Sequence, residues 1–99
     1  MTTRSHYVWM DGKLVDFDHA TVPFLNRTLH YGAGVFEGIR CYNTANGPAV
    51  FRLKEHVARL FDSAHVFGLQ QLTYTEEEIC AAIKQTVAAN GYSECYIRP

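Results

Sequence analysis

Two hairpin turn signals precede two helical stripes, and that order restricts the folds open to this chain. Asp11-Gly12 lies between the apolar runs Tyr7-Val8-Trp9-Met10 and Leu14-Val15-Asp16-Phe17. Asp-Gly in that setting is a strong hairpin signal, because the turn needs φ > 0. Asn46-Gly47 is a second turn signal, with Ala49-Val50-Phe51 as its return strand. Beyond it, Leu53, Val57, Leu60, Phe61, Ala64 and Phe67 recur at three- and four-residue steps, which sets them on one helical stripe. Gly68 stands where a helix C-terminal cap is expected. A second helix opens at Thr75-x-x-Glu78, a capping-box pattern. Glu76 and Glu77 add negative charge where the helix dipole favours it. Ile79, Ala82, Ile83, Thr86 and Val87 form its inner stripe, Asn90-Gly91 ends it, and residues 95–98 read as a last strand. Strands followed by helices predict an α+β fold, a two-layer sandwich of a mostly antiparallel sheet with two helices on one face. The pattern does not fix the strand order.

Ninety-nine residues suffice for one domain and not for two. A chain of this size buries roughly two-thirds of its unfolded surface, so one modest core is possible. Apolar residues form 47% of the sequence, which argues against disorder. The net charge is −1 with no basic block, so neither nucleic acid nor a membrane surface is an expected partner. No apolar run is long enough to span a bilayer, and residues 1–6 lack the apolar core of a signal peptide. Cys41, Cys80 and Cys95 form neither a disulfide framework nor a zinc spacing, and they suit a reducing cytoplasm. The five histidines show no convincing metal-ligand spacing, so no metal site is expected. The chain stops on the apolar, strand-like run Cys95-Tyr96-Ile97-Arg98-Pro99, and we expect it to be part of something longer.

The candidate site residues gather around residues 27–42. Gly32-Ala33-Gly34 permits a tight bend. The following run, Val35-Phe36-Glu37-Gly38-Ile39-Arg40-Cys41-Tyr42, has the β-branched and aromatic content of a strand. Alternation places Val35, Glu37, Ile39 and Cys41 on one face and Phe36, Gly38, Arg40 and Tyr42 on the other. That second face reads either as a pocket wall or as a bulge at Gly38 with Arg40 solvated at an edge. Arg59, on the first helix, is open to two readings as well. It is a surface cation paired with Glu55 one turn earlier, or an anion clamp whose planar fork grips phosphate. Tyr96 and Arg98 share a strand face, either in a pocket or as a buried ring and a solvated cation.

The wording of three segments narrows these choices. Tyr31-Gly32 with Val35-Phe36-Glu37-Gly38-Ile39-Arg40 resembles the small domain of the branched-chain amino acid aminotransferases, pyridoxal 5'-phosphate (PLP) enzymes of fold type IV. Leu53-x-x-His56-x-x-Arg59-Leu60-x-x-Ser63-Ala64 is similar to the helix of these enzymes whose arginine binds the PLP phosphate. Tyr96-Ile97-Arg98-Pro99 resembles their strand that brings an aromatic residue and an arginine near the substrate carboxylate. The hairpin at residues 7–12 is also typical of the family. The resemblance covers essentially the whole chain. The D-amino-acid aminotransferases and aminodeoxychorismate lyases of the same fold usually carry Gly-Asp-Gly where this chain has Gly32-Ala33-Gly34.

The resemblance implies a role for each matching residue. Arg59 holds the cofactor phosphate. Phe36 supplies apolar area and Gly38 supplies room for an aliphatic substrate side chain. Tyr96 and Arg98 lie near the carboxylate, and Arg40 shares a strand face with Phe36 and Gly38. Tyr31 reaches into the pocket of a neighbouring subunit, which implies a homodimer or higher oligomer. The resemblance also implies that the lysine which links to PLP, and the acid that faces its pyridine nitrogen, come from a larger C-terminal domain. Lys13, Lys54 and Lys84 are the lysines of this chain, and none matches that position. No catalytic residue is therefore expected within residues 1–99. The implied activity of the full enzyme is amino transfer between leucine, isoleucine or valine and 2-oxoglutarate. Two alternatives stay open: a D-amino-acid aminotransferase or lyase of the same fold, and a non-catalytic α+β binding module.

Overall fold

A computed structural model describes residues 5–69 and 72–99. Residues 1–4, part of the polar start read above, and residues 70–71, within the connector between the two helices, lie outside the described residues. The chain runs β1 (Tyr7–Met10), β2 (Lys13–Asp16), a 3₁₀ turn (Phe17–His19), α1 (Arg27–Tyr31), β3 (Ile39–Thr44), β4 (Gly47–Val50), α2 (Leu53–Phe67), α3 (Glu76–Asn90) and β5 (Cys95–Ile97). The fold is α+β, as the order of turns and stripes requires. The strands divide into two antiparallel sheets, β1-β2 and β4-β3-β5.

Local chemistry explains each boundary. Asp11 and Gly12 sit at φ 52° and 94°, the pair of positive angles that a tight hairpin turn demands. In the second hairpin the positive angle, 100°, falls on Gly47, the glycine position of a bulged turn. Thr75 accepts from the Glu78 N–H at 3.1 Å, and Glu78 accepts from the Thr75 N–H at 3.0 Å, so the capping box is complete. Gly68 and Gly91 end α2 and α3 in the left-handed conformation.

The core lies between the three-stranded sheet and the helix pair. Ile39, Leu53, Val57 and Ile83 form its buried centre, with Phe61, Ile79 and Ile97 packed around them. Within β3, Ile39 and Cys41 are buried while Arg40 and Tyr42 are exposed, so the helices cover one sheet face and leave the other open. The first hairpin is fastened separately. Asn90, the last residue of α3, accepts from the N–H groups of His6 and Tyr7 at 2.7 and 2.9 Å. Its amide donates to the Tyr7 and Thr86 carbonyls at 3.1 and 2.8 Å.

Two features depart from the sequence expectations. The strand expected from Val35 onward begins at Ile39. Its partner β5 is three residues long, so few ladder positions are available to pair, although the Glu37 N–H still donates to the Pro99 carbonyl at 3.2 Å. The approach at residues 27–31 is a short helix. Asn26 caps it by accepting from the Thr28 N–H at 2.8 Å, and Gly32 closes it at φ 63°.

Candidate active site

The open face of the three-stranded sheet gathers five of the expected residues. The β3–β5 register pairs Arg40 with Tyr96 and Ile39 with Ile97. Alternation then sets Gly38, Arg40, Tyr96 and Arg98 on the face away from the helices. The Arg98 guanidinium carbon lies 4.3 Å from the Phe36 ring centre and 5.3 Å from that of Tyr96. Arg40 approaches the Tyr96 ring at 6.0 Å. Each separation is within cation–π range. Phe36 and Tyr96 are 65% and 53% exposed, so the cluster faces outward.

The glycine in this cluster serves a packing need. A Cβ at Gly38 would fall 3.0 Å from Cζ of Tyr96 and closer still to its hydroxyl oxygen. The space that Gly38 provides is thus occupied by the Tyr96 phenol. The sequence expectation gave that space to a substrate side chain; here the Tyr96 phenol lies against the bare backbone of Gly38.

Arg59 reaches the same segment from the helix side. Its Nε and Nη2 donate to Oε2 and Oε1 of Glu37, both at 2.8 Å. The partner is therefore Glu37, across the fold, and not Glu55, one turn earlier. His56 Nδ1 stands 2.9 Å from Oε1 of the same carboxylate. Glu37 is 5% exposed, and among the described residues it is the charged side chain that is buried. Hydrogen bonds from Arg59, then from His56, hold its pKa down to about 2 against the opposing effect of burial. The same pairing raises the pKa of Arg59. A guanidinium has five N–H donors in one plane, and Glu37 takes the Nε–Nη2 edge. The Nη1–Nη2 edge lies outside that pair, on a side chain that is 67% exposed. This edge carries the planar pair of N–H donors from which a phosphate can accept two bonds.

Sequence reasoning passes over Glu37 and His56. The signal is present: alternation puts an acidic residue on the buried sheet face, and a buried carboxylate needs cationic or donor partners. His56 and Arg59, three apart on α2, supply them. Tyr31 stands apart from the cluster, 82% exposed, with the His30 ring 6.3 Å away. Among the described residues, no three His, Cys, Asp or Glu side chains gather into a possible metal site.

Residues 34–99, two-thirds of the chain, match the family described as amino-transferase class IV. The chain belongs to the class IV aminotransferases. It is 48% identical over 99 residues to the branched-chain-amino-acid aminotransferase of Pseudomonas aeruginosa, covering all of this chain and 32% of that protein. It is 39% identical over 98 residues to the Escherichia coli enzyme, covering 31% of it. Among solved class IV relatives, the T.th. branched-chain amino acid aminotransferase with pyridoxamine 5'-phosphate superposes with a TM-score of 0.93 at 47% identity, over 98% of this chain and 32% of that one. The Escherichia coli enzyme gives 0.92 at 38% identity, over 96% and 31%. The T.th. enzyme has also been solved with N-(5'-phosphopyridoxyl)-L-glutamate and with 4-methylvaleric acid. The chain thus spans about a third of the length of these aminotransferases.

Proposed function

We propose that this chain is the N-terminal small domain of a PLP-dependent branched-chain amino acid aminotransferase. The full enzyme transfers the amino group between leucine, isoleucine or valine and 2-oxoglutarate. The observation that carries this reading is the meeting of Phe36, Gly38, Tyr96 and Arg98 on one open sheet face, with Arg59 anchored to Glu37, the residue between Phe36 and Gly38. The relatives solved with pyridoxamine phosphate, a phosphopyridoxyl-glutamate and a branched aliphatic acid support the cofactor and both substrate classes.

Each residue then has a task. The free edge of Arg59 takes the cofactor phosphate. The Arg98 fork, held over Phe36, receives the substrate carboxylate with the Tyr96 hydroxyl beside it. Phe36 offers the apolar wall for the aliphatic chain, and Arg40 adds positive charge at the margin. Tyr31, exposed on α1, completes the pocket of a neighbouring subunit in a homodimer or larger assembly. When bound, PLP supplies the electron sink that makes the amino acid Cα–H bond acidic. The lysine that moves that proton belongs to the larger C-terminal domain. Lys54 and Lys84 instead line a groove on the helix side with Cys41, Leu53 and Cys80. Among the described residues no helix is long and apolar enough to cross a membrane. The cytoplasmic location in this proposal rests on the free cysteines Cys41, Cys80 and Cys95, which suit a reducing compartment.

Borohydride reduction of the full-length enzyme is expected to fix the cofactor on a lysine peptide from outside residues 1–99. No labelled peptide would favour the non-catalytic module. Turnover of L-leucine without turnover of D-alanine is expected; the reverse would assign the chain to the D-amino-acid branch of the fold.

A further inference from the structure

We propose that Glu37 is a positioning residue for the phosphate grip of Arg59. The proposal rests on the reading that Arg59 takes the cofactor phosphate. A guanidinium is planar, so fixing one edge fixes the direction of the next. Glu37 takes the Nε–Nη2 edge with two bonds of equal length. The adjacent Nη1–Nη2 edge is thereby aimed while the arginine remains 67% exposed. A long exposed side chain without that hold would sample many rotamers.

Glu37 is well placed to act as the anchor. Its side chain is 5% exposed, and its own N–H donates to the Pro99 carbonyl at 3.2 Å. His56 Nδ1, at 2.9 Å from Oε1, restrains the carboxylate from a second side. The line of support runs from the Glu37–Pro99 backbone bond, just beyond the β3–β5 ladder, through the Glu37 carboxylate to the guanidinium. Pairing also has an opposing effect, since a carboxylate beside the arginine partly cancels the charge that attracts phosphate. Positioning and cancellation predict opposite responses to loss of the Glu37 charge.

The test uses the full-length enzyme that carries this chain, stripped of cofactor and titrated by absorbance and fluorescence. The probes are pyridoxal 5'-phosphate and pyridoxal, which lacks the phosphate. Glu37→Gln is expected to weaken pyridoxal 5'-phosphate binding about tenfold or more, the usual effect of losing a charged hydrogen-bonding support, and to leave pyridoxal within about threefold. Glu37→Asp keeps the charge but withdraws the carboxylate by one methylene, and it is expected to show the same selective loss. In the Glu37→Gln background, Arg59→Ala is expected to cost clearly less than it costs alone, because the two residues act as one unit. Unchanged or tighter pyridoxal 5'-phosphate binding by Glu37→Gln or by Glu37→Asp would overturn the proposal. So would an equal loss for both probes. If instead Arg59→Ala alone leaves the ratio of the two affinities unchanged, the phosphate reading of Arg59 itself has failed.

Discussion

Glu37 shows how one side chain changes the meaning of its neighbours. Read along the chain it is a polar residue in an apolar run. In the fold it is a buried carboxylate with three short hydrogen bonds from α2. Its pKa, about 2 in the fold against an ordinary 4.5, gives a definite sign to its acid response. The folded state binds the proton less readily than the unfolded one, so Glu37 stabilises the fold fully above pH 4.5. That contribution declines as the pH falls from 4.5 towards 2. Urea midpoints measured across this window are expected to show wild type more stable than Glu37→Gln at neutral pH, with the gap closing towards pH 2. A gap that stays constant would mean the pairing is not what depresses the carboxylate. At the next residue, Gly38→Ala forces a methyl group against the Tyr96 ring. If the full-length protein is the proposed aminotransferase, this change is expected to raise its KM for L-leucine several-fold as Tyr96 and Arg98 are displaced, while pyridoxal binding stays the same. Steady-state kinetics with a parallel cofactor titration would separate the two effects.

The elements differ in how far each is determined locally. α3 is nearly self-specifying: Thr75 and Glu78 satisfy one another's backbone donors, three acidic residues fill its first turn, and Gly91 closes it. Thr75→Ala removes half of the box and is expected to cost about 1 kcal/mol, read from the denaturant midpoint at unchanged slope. α2 starts differently. Its N-cap, Arg52, adopts φ 52° and ψ 44° without a side-chain cap, a left-handed conformation that suits glycine better. No sequence signal marks that start, since arginine is an unremarkable residue before a leucine stripe. β3 shows the opposite case. Its alternation is clear in the sequence, but where it begins depends on how much of β5 lies alongside. α1 escapes a sequence reading because five residues give too little periodicity to recognise, and its cap, Asn26, resembles any polar loop residue.

In the whole molecule, two sheets share one helix pair, and Asn90 is the link to the outer one. Its amide uses both ends at once, accepting from two N–H groups and donating to two carbonyls. Asn90→Asp keeps the acceptors and loses the donors. It is expected to speed hydrogen exchange in β1 and β2 while α2 and the β3–β4 hairpin stay protected. Uniform loss of protection would show that the first hairpin is not a separable unit. The exposed apolar side chains have a different consequence. Phe24, Leu25, Leu29, Tyr31, Phe36 and Phe51 are all more than half exposed, a large number of bare apolar side chains for a solitary small protein. The proposed large domain and neighbouring subunit account for that surface. Residues 1–99 expressed alone are expected to self-associate at high concentration, as sedimentation would detect.

Periodicity and turn chemistry determined both hairpins, both long helices and the division of β3 into an inward and an outward face, because these depend on residues within a few positions of one another. The family wording selected Phe36, Gly38, Arg40, Arg59, Tyr96 and Arg98 as a set. Only the tertiary structure decided that Arg59 answers to Glu37 rather than Glu55, that Gly38 accommodates Tyr96, and that Asn90 clasps the first hairpin. Each of these joins residues from separate elements, and no local pattern encodes which buried charge or which bare backbone position will meet which partner.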